Sequence, residues 1–471
     1  MSEPRFSSPW LSQLQHERPH FQLNEPLDCD VAVVGAGIAG VSTAYQILKY
    51  TTSKVLLVDA GRIAHGATGH NAGQVVSYFE KPLAKLVETY GSEMAIHGQN
   101  AVESAWDLLE DIIRDCSLRT PLFGCTGYAG FTTIEQVLIH LQELKIRQEA
   151  GLDFKPLLVR IDPTLQKEIP AEFSSLILPV PHSVVLDVLE TNDSSFIAAG
   201  VSLKGCMNSA LFCEELVAWM VDEYEDRLTV AEHMLVDRIV LKEDGAVLFT
   251  HGPTVTAGRV VLCTNGFENL TIENEAGSPI DAAFHASVAG VIGYMGGYLD
   301  ENGQPPLAVS YYRNADSDEP YHYLTRRPYE RGGESSVLVC IGGPERFLPD
   351  RATYDPSSRF PANIEEDLDL ELRRTYRDMP PPATKAFTWH GLMGYTPTGI
   401  RRIGFEPLNS VLLYNLGCNG VGILPSIYGG KRIAQLLSGL HLPPSIFDPE
   451  MSEMMLRSVS INQKTMRTPM L

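Results

Sequence analysis

Val31-Ala32-Val33-Val34-Gly35-Ala36-Gly37-Ile38-Ala39-Gly40 is the stretch that decides the fold. Four small and β-branched residues read as a buried strand, and the Gly-x-Gly-x-x-Gly spacing after them opens a helix running toward Tyr50. Gly35 permits a tight turn, Gly37 lets backbone amides approach a pyrophosphate, and Gly40 lets the helix pack closely on the strand. Ile38 and Ala39 begin the helix, whose first turn carries partial positive charge and free N–H groups that favour a phosphate. A second apolar strand, Lys54-Val55-Leu56-Leu57-Val58, ends at Asp59, 24 positions beyond Gly35, where a carboxylate suits a ribose diol. The glycine spacing alone is common; its place between strand and helix, with an acid closing the next strand, makes it a dinucleotide-binding βαβ unit.

Just downstream, Ala60-Gly61-Arg62-Ile63-Ala64-His65-Gly66-Ala67-Thr68-Gly69-His70-Asn71-Ala72-Gly73 forms a second run of small residues, able to lie against a long cofactor. A nicotinamide enzyme has no need of that run, so FAD is the expected dinucleotide. Near the other end, Gly417-Cys418-Asn419-Gly420-Val421-Gly422 precedes a final helix, whose N-terminal amides could stabilise negative charge on a reduced flavin ring.

Between these anchors the periodicity predicts helices over about 80–150, one opened by a Thr132-x-x-Glu135 capping box. It then predicts a helix over 208–223, short strands at 236–239, 246–250 and 260–263, strands over 286–342, a connection at Pro380-Pro381-Pro382, and a last helix ending near 440. The expected fold class is α/β: a Rossmann-like FAD-binding domain from residues 27–96, 199–272 and 385–445, interleaved with a mixed-sheet substrate domain from 97–198 and 273–384. Residues 1–26 and 446–471 are expected to be arms, the first packing on the body without a functional part.

The balance of 37 Lys and Arg against 58 Asp and Glu, a formal charge of -21, would repel a phosphate backbone, so no nucleic-acid partner is expected. Eight cysteines without Cys-x-x-Cys spacing argue against a zinc site and for a reducing compartment. With no signal pattern at the start and no run of about 18 apolar residues, the chain is expected to be cytoplasmic, with no membrane span.

Taken in order, the βαβ unit, the run Gly66-Ala67-Thr68-Gly69-His70-Asn71-Ala72-Gly73, the strand at Val236, Val260-Val261-Leu262-Cys263-Thr264-Asn265-Gly266, the Tyr-rich strands to Gly342-Gly343, Thr396-Pro397-Thr398-Gly399 and the last glycine turn resemble the FAD-dependent amine and amino-acid oxidoreductases. Over residues 66–74 the chain most resembles gamma-glutamylputrescine oxidase. That resemblance implies oxidation of a C–N bond to an imine by hydride transfer to flavin N5, then hydrolysis, on a small-molecule amine or amino acid, with dioxygen or another acceptor reoxidising the flavin.

The same resemblance implies site residues. Arg326 matches an arginine that pairs with a substrate carboxylate, and Tyr323, His390 and Tyr395 stand where side chains face substrate or flavin. His70 stands where one branch bonds its flavin covalently and others hold it noncovalently; the cysteine linkage of another branch is excluded, because residues 389–398 contain no cysteine. Thr398 replaces the family's usual aspartate, and Arg401-Arg402 a commonly apolar stretch. Other flavoenzyme chemistries, hydroxylation or hydroxy-acid dehydrogenation, and a degenerate FAD-binding protein without turnover stay open on the same architecture.

Overall fold

The computed structural model describes residues 8–14, 18–266, 270–300, 304–313, 321–348, 354–378 and 384–450. Strand Leu27–Val34 runs parallel to Val55–Val58 on one side and to Val255–Leu262 on the other, at the centre of a nine-stranded sheet. Its apolar run is continuous because both faces are covered: Val31 and Val33 join a core with the helix Ile38–Tyr50, while Ala32 and Val34 join a second core beneath the sheet. The parallel order continues outward to Leu228–Ala231 on one flank and Asn409–Leu416 on the other. Antiparallel strands Val236–Leu241 and Ala246–Thr250 extend it beyond Val255–Leu262.

A second, ten-stranded sheet runs in the order Lys385–Tyr395, Ala289–Asp300, Glu334–Phe347, His322–Arg331, Leu307–Tyr312, Phe123–Phe131, Ala198–Cys206, Leu157–Arg160, Ile177–Val180, with Gln74–Val76 paired on Ala198–Cys206. The fold is thus mixed α/β with two mixed sheets. Gln74–Val76, Lys385–Tyr395 and all but the first residue of Ala198–Cys206 fall in segments expected in the FAD-binding part, and they hydrogen-bond in the ten-stranded sheet.

Helices Leu83–Tyr90, Ser92–Asp115 and Ile134–Glu149 fill most of the predicted helical region, but strand Phe123–Phe131 interrupts it. The capping box sits one residue later than predicted: the Thr133 hydroxyl accepts from Gln136 N at 3.4 Å, and the Gln136 side chain accepts from Thr133 N at 3.2 Å. Thr132 instead donates to the Arg313 carbonyl at 2.8 Å. The helix expected over 208–223 forms as Ser209–Glu223 with Asn208 as its N-cap, and the last helix spans Ile423–Leu437. Pro380-Pro381-Pro382 lie outside the described residues. The second arm begins as core, because Ile446 and Phe447 are fully buried. No described helix is long and apolar enough to cross a membrane, and the described residues hold no cluster of three or more metal-ligating side chains.

The first arm contributes Trp10, which is fully buried against the face of Gly73. Its indole N–H donates to the Asn71 carbonyl at 2.6 Å, and its ring meets Trp389 edge-on at 6.4 Å. Gly73 has φ +70°, and a methyl group there would lie 2.7 Å from the indole, so this position takes glycine for space and conformation together. Trp10→Ala should cost about 3–5 kcal/mol of unfolding free energy in denaturant titration, as large aromatic truncations in cores do, and should lower the flavin content of the purified protein.

Candidate flavin and substrate site

A cavity of about 690 Å³ lies between the two sheets. On the nine-stranded side it is lined by Gly35, Gly37, Ile38 and Ala39 of the first turn, by Asp59 and Ala60, by Gly66, Ala67, Thr68, His70, Asn71 and Ala72, and by Val236, Thr264, Asn265, Gly420, Val421 and Gly422. Five separate chain segments, each singled out for cofactor contact, therefore meet around one space. Asp59 is held by two backbone donors, Ala36 N at 2.7 Å and Gly61 N at 2.8 Å; desolvation pushes its pKa up and these bonds oppose that shift. The Ile38 amide donates to the Thr68 hydroxyl at 2.9 Å, which pins the second small-residue run against the first helix. His70 closes a short helical turn, Ala67–His70, with Nδ1 2.9 Å from the Gly66 carbonyl, and burial lowers its pKa.

Six expected contacts do not line the cavity: Gly40, Arg62, Gly73, Gly266, Gly417 and Asn419. Several of these shape its wall from behind. Gly73 seats Trp10, and the Asn419 side chain accepts from Thr396 N at 2.7 Å, joining the two loops at the helix entrance. The residues present suit a dinucleotide. The Thr264 hydroxyl is buried on this wall with no partner among the described residues, a polar group waiting for a ligand.

The ten-stranded sheet supplies the opposite wall: Tyr321, Tyr323, Met295, Glu345, Gly391, Met393 and Tyr395, joined by Tyr78 and Glu80. Burial raises the pKa of Glu345 to about 7, with the like charge of Glu80 adding to the shift. Burial also raises Glu80, against a 2.9 Å hydrogen bond from the Tyr321 hydroxyl. Tyr395 donates toward Glu345 at 3.4 Å. This wall is two carboxylates among four tyrosines, an arrangement that attracts a cation and receives its face on aromatic rings.

Two residues expected at the substrate or flavin lie off the cavity. Arg326 lies three residues from Tyr323 and so points to the other face of the strand. There its guanidinium donates to Glu190 (2.8 Å from Nη2), Tyr376 and the Pro305 carbonyl, wholly buried and away from the cavity. His390 alternates in the same way with the cavity-lining Gly391 and Tyr395; its ring contacts Tyr354, Ser358 and Tyr294 behind the sheet. Arg401 does line the cavity, but its Nη2 donates to the Asn415 carbonyl at 2.8 Å and its Nε to the Asn415 side chain at 2.5 Å. The Thr398 carbonyl accepts from Lys81 at 2.7 Å.

Tyr78, Glu80, Tyr321 and Glu345 were not foreseen. Tyr321 and Tyr323 share a strand parity, which was a usable signal; Glu80 and Glu345 carried none, since one sits in a loop and the other on a strand whose facing depends on a register shift between Gly293 and Met295.

Residues 30–436 match the model of the FAD dependent oxidoreductase family, and the chain belongs to that family, with FAD as its cofactor. Over 135 residues it is 32% identical to gamma-glutamylputrescine oxidoreductase of Escherichia coli (strain K12), covering 28% of this chain and 32% of that protein. Over 129 residues it is 26% identical to the probable oxidoreductase OrdL of Haemophilus influenzae, covering 27% and 26%. The matched segments thus span about a third or less of these relatives. In fold it is similar to glycine oxidase from Geobacillus kaustophilus, with a TM-score of 0.63 at 16% identity over 90% of this chain and 98% of that one. It is likewise similar to L-proline dehydrogenase from P. horikoshii, with 0.65 at 17% over 91% and 99%.

The placement of Arg326 makes a definite prediction. Arg326→Ala should leave the Michaelis constant within about twofold while lowering stability by about 3 kcal/mol, because it strands a largely buried Glu190 carboxylate; steady-state kinetics and denaturant titration read the two separately.

Proposed function

We propose that this chain oxidises the C–N bond of a small-molecule amine or amino acid to an imine, which water then hydrolyses, and that an amine is favoured over an amino acid. The observation carrying this reading is the cavity wall opposite the dinucleotide turns, where Glu80 and Glu345 sit among Tyr78, Tyr321, Tyr323 and Tyr395. A cationic amine is drawn to those carboxylates and rings. Among the described residues, Arg401 is the arginine on this cavity, and its guanidinium is engaged by Asn415, which leaves no fork for a substrate carboxylate.

An ammonium must lose a proton before its carbon can release hydride. Glu345, poised near neutrality, suits the acceptor role, with Tyr395 orienting its Oε1. Bound along the first wall, FAD supplies the hydride acceptor. The tyrosines and Met295 line the space beside that wall and would exclude bulk water from a bound amine. Dioxygen or another acceptor then takes the electrons. We take the flavin to be held noncovalently, and the protein to be cytoplasmic, because all eight cysteines are free.

Anaerobic mixing with a panel of primary and secondary amines and amino acids of both hands should bleach the flavin band with at least one amine. Failure with every compound, together with bleaching by NADPH, would sink the reading. Glu345 must be ionised to take the proton, so kcat/KM should fall about tenfold per pH unit below about 7 and level off above it, and Glu345→Gln should abolish that limb. Acid precipitation should leave yellow colour in the supernatant; a yellow pellet would show a covalent bond.

A further inference from the structure

A second cavity, about 1390 Å³, lies beside the first and shares Tyr78, Glu80 and Tyr321 as lining residues. Glu345 and Tyr395 line only the first, and Lys204 only the second. Lys204 is 2% exposed, and among the described residues it forms no ion pair. Its ammonium donates to the Ser310 hydroxyl at 3.1 Å and lies 5.6 Å from the centre of the Tyr78 ring. Two of its three N–H groups therefore have no hydrogen-bond partner among the described residues in a largely buried place, where an unpaired charge is costly unless a ligand meets it.

The strand opposite makes room for it. Gly127 lies across from Ser202 on the adjacent strand, and a methyl group at 127 would come within 2.3 Å of Lys204 Cγ and Cδ, so the lysine stem lies over a bare backbone. Burial lowers the Lys204 pKa to about 8, which leaves the group mainly charged at neutral pH. Of the other charges on this wall, Arg147 pairs with Glu103 at 2.6 Å and Arg313 with Glu371 at 2.8 Å, while Lys81 donates to the Thr398 carbonyl at 2.7 Å. Glu143, also on this wall, has its pKa raised by burial.

Lys204 thus stands beyond the shared Tyr78, Glu80 and Tyr321, on the side away from Glu345 and Tyr395. We propose that the second cavity is a binding site for the far end of the substrate, and that this far end is a carboxylate seated on Lys204, so that the substrate is an elongated amine with an anionic tail. This rests on the amine reading for the end at the flavin.

The test separates binding from turnover. Omega-trimethylammonio carboxylates of increasing chain length, which have no N–H and cannot form an imine, are titrated into the FAD-loaded protein by calorimetry alongside n-alkyltrimethylammonium ions of equal length. Above a threshold length the carboxylate compounds should bind about ten- to a hundredfold more tightly, as a charge-assisted hydrogen bond provides. Lys204→Met should erase that ratio and Lys204→Arg should keep most of it. Gly127→Ala, which displaces the lysine stem without removing the charge, should reduce it. Equal affinities at every length, no binding of the carboxylate compounds, or an unchanged ratio in Lys204→Met would overturn the proposal. Flavin bleaching by primary amines is scored separately, so its failure falls on the catalytic reading and leaves this result standing on its own.

Discussion

Gly40 has no side chain, and the whole cofactor side of the molecule depends on that absence. A methyl group there would lie 1.7 Å from the Gly35 carbonyl oxygen, so any other residue would push the helix Ile38–Tyr50 off the end of its strand. The contact sets where the helix begins, and hence where its first amides face. Thr68 reads that position through the Ile38 amide, and the small-residue run containing it lies down accordingly. Cys263 N in turn donates to the Val34 carbonyl at 2.8 Å, which brings Thr264 and Asn265 to the same rim. One close approach of backbone to backbone therefore positions three chain segments that are far apart in sequence.

The opposite wall is governed by a different constraint, the two-residue repeat of a strand. Tyr323 and Tyr395 reach the cavity while Arg326 and His390 do not, and the difference is parity alone. A buried arginine placed on the far face needed its own partners, and the Glu190 carboxylate and Tyr376 hydroxyl answer it there. The ion pair belongs to the core that joins the ten-stranded sheet to the helix Ala362–Thr375, rather than to the chemistry.

That contrast also explains what was legible beforehand. The glycine turns and Asp59 announce themselves because backbone approach restricts residue type at each position, so spacing carries the information. Residues 208–223 were legible because a long apolar run follows Asn208, which caps the helix. Phe123–Phe131 was hidden: its small residues, Gly124, Gly127, Ala129 and Gly130, lack the β-branched signature, and the helices around it dominate the local pattern. Glu80 and Glu345 were hidden for a deeper reason. A carboxylate is ordinary on a surface, and only the folding of two sheets around one space makes these two unusual. Resemblance named Arg326 by its neighbours along the chain, which do not report which way a strand faces.

Trp10 has a consequence for the order in which the chain is completed. Its ring waits for Trp389, the Ser12 hydroxyl lies 2.6 Å from that of Tyr329, and the Tyr329 hydroxyl donates to the Pro9 carbonyl at 3.1 Å. Residues 9–12 thus take their seats only against residues more than three hundred positions later in the chain. The segment around Trp10 acts as a closing latch, and the Asn71 carbonyl it grips belongs to the loop that lines the cavity.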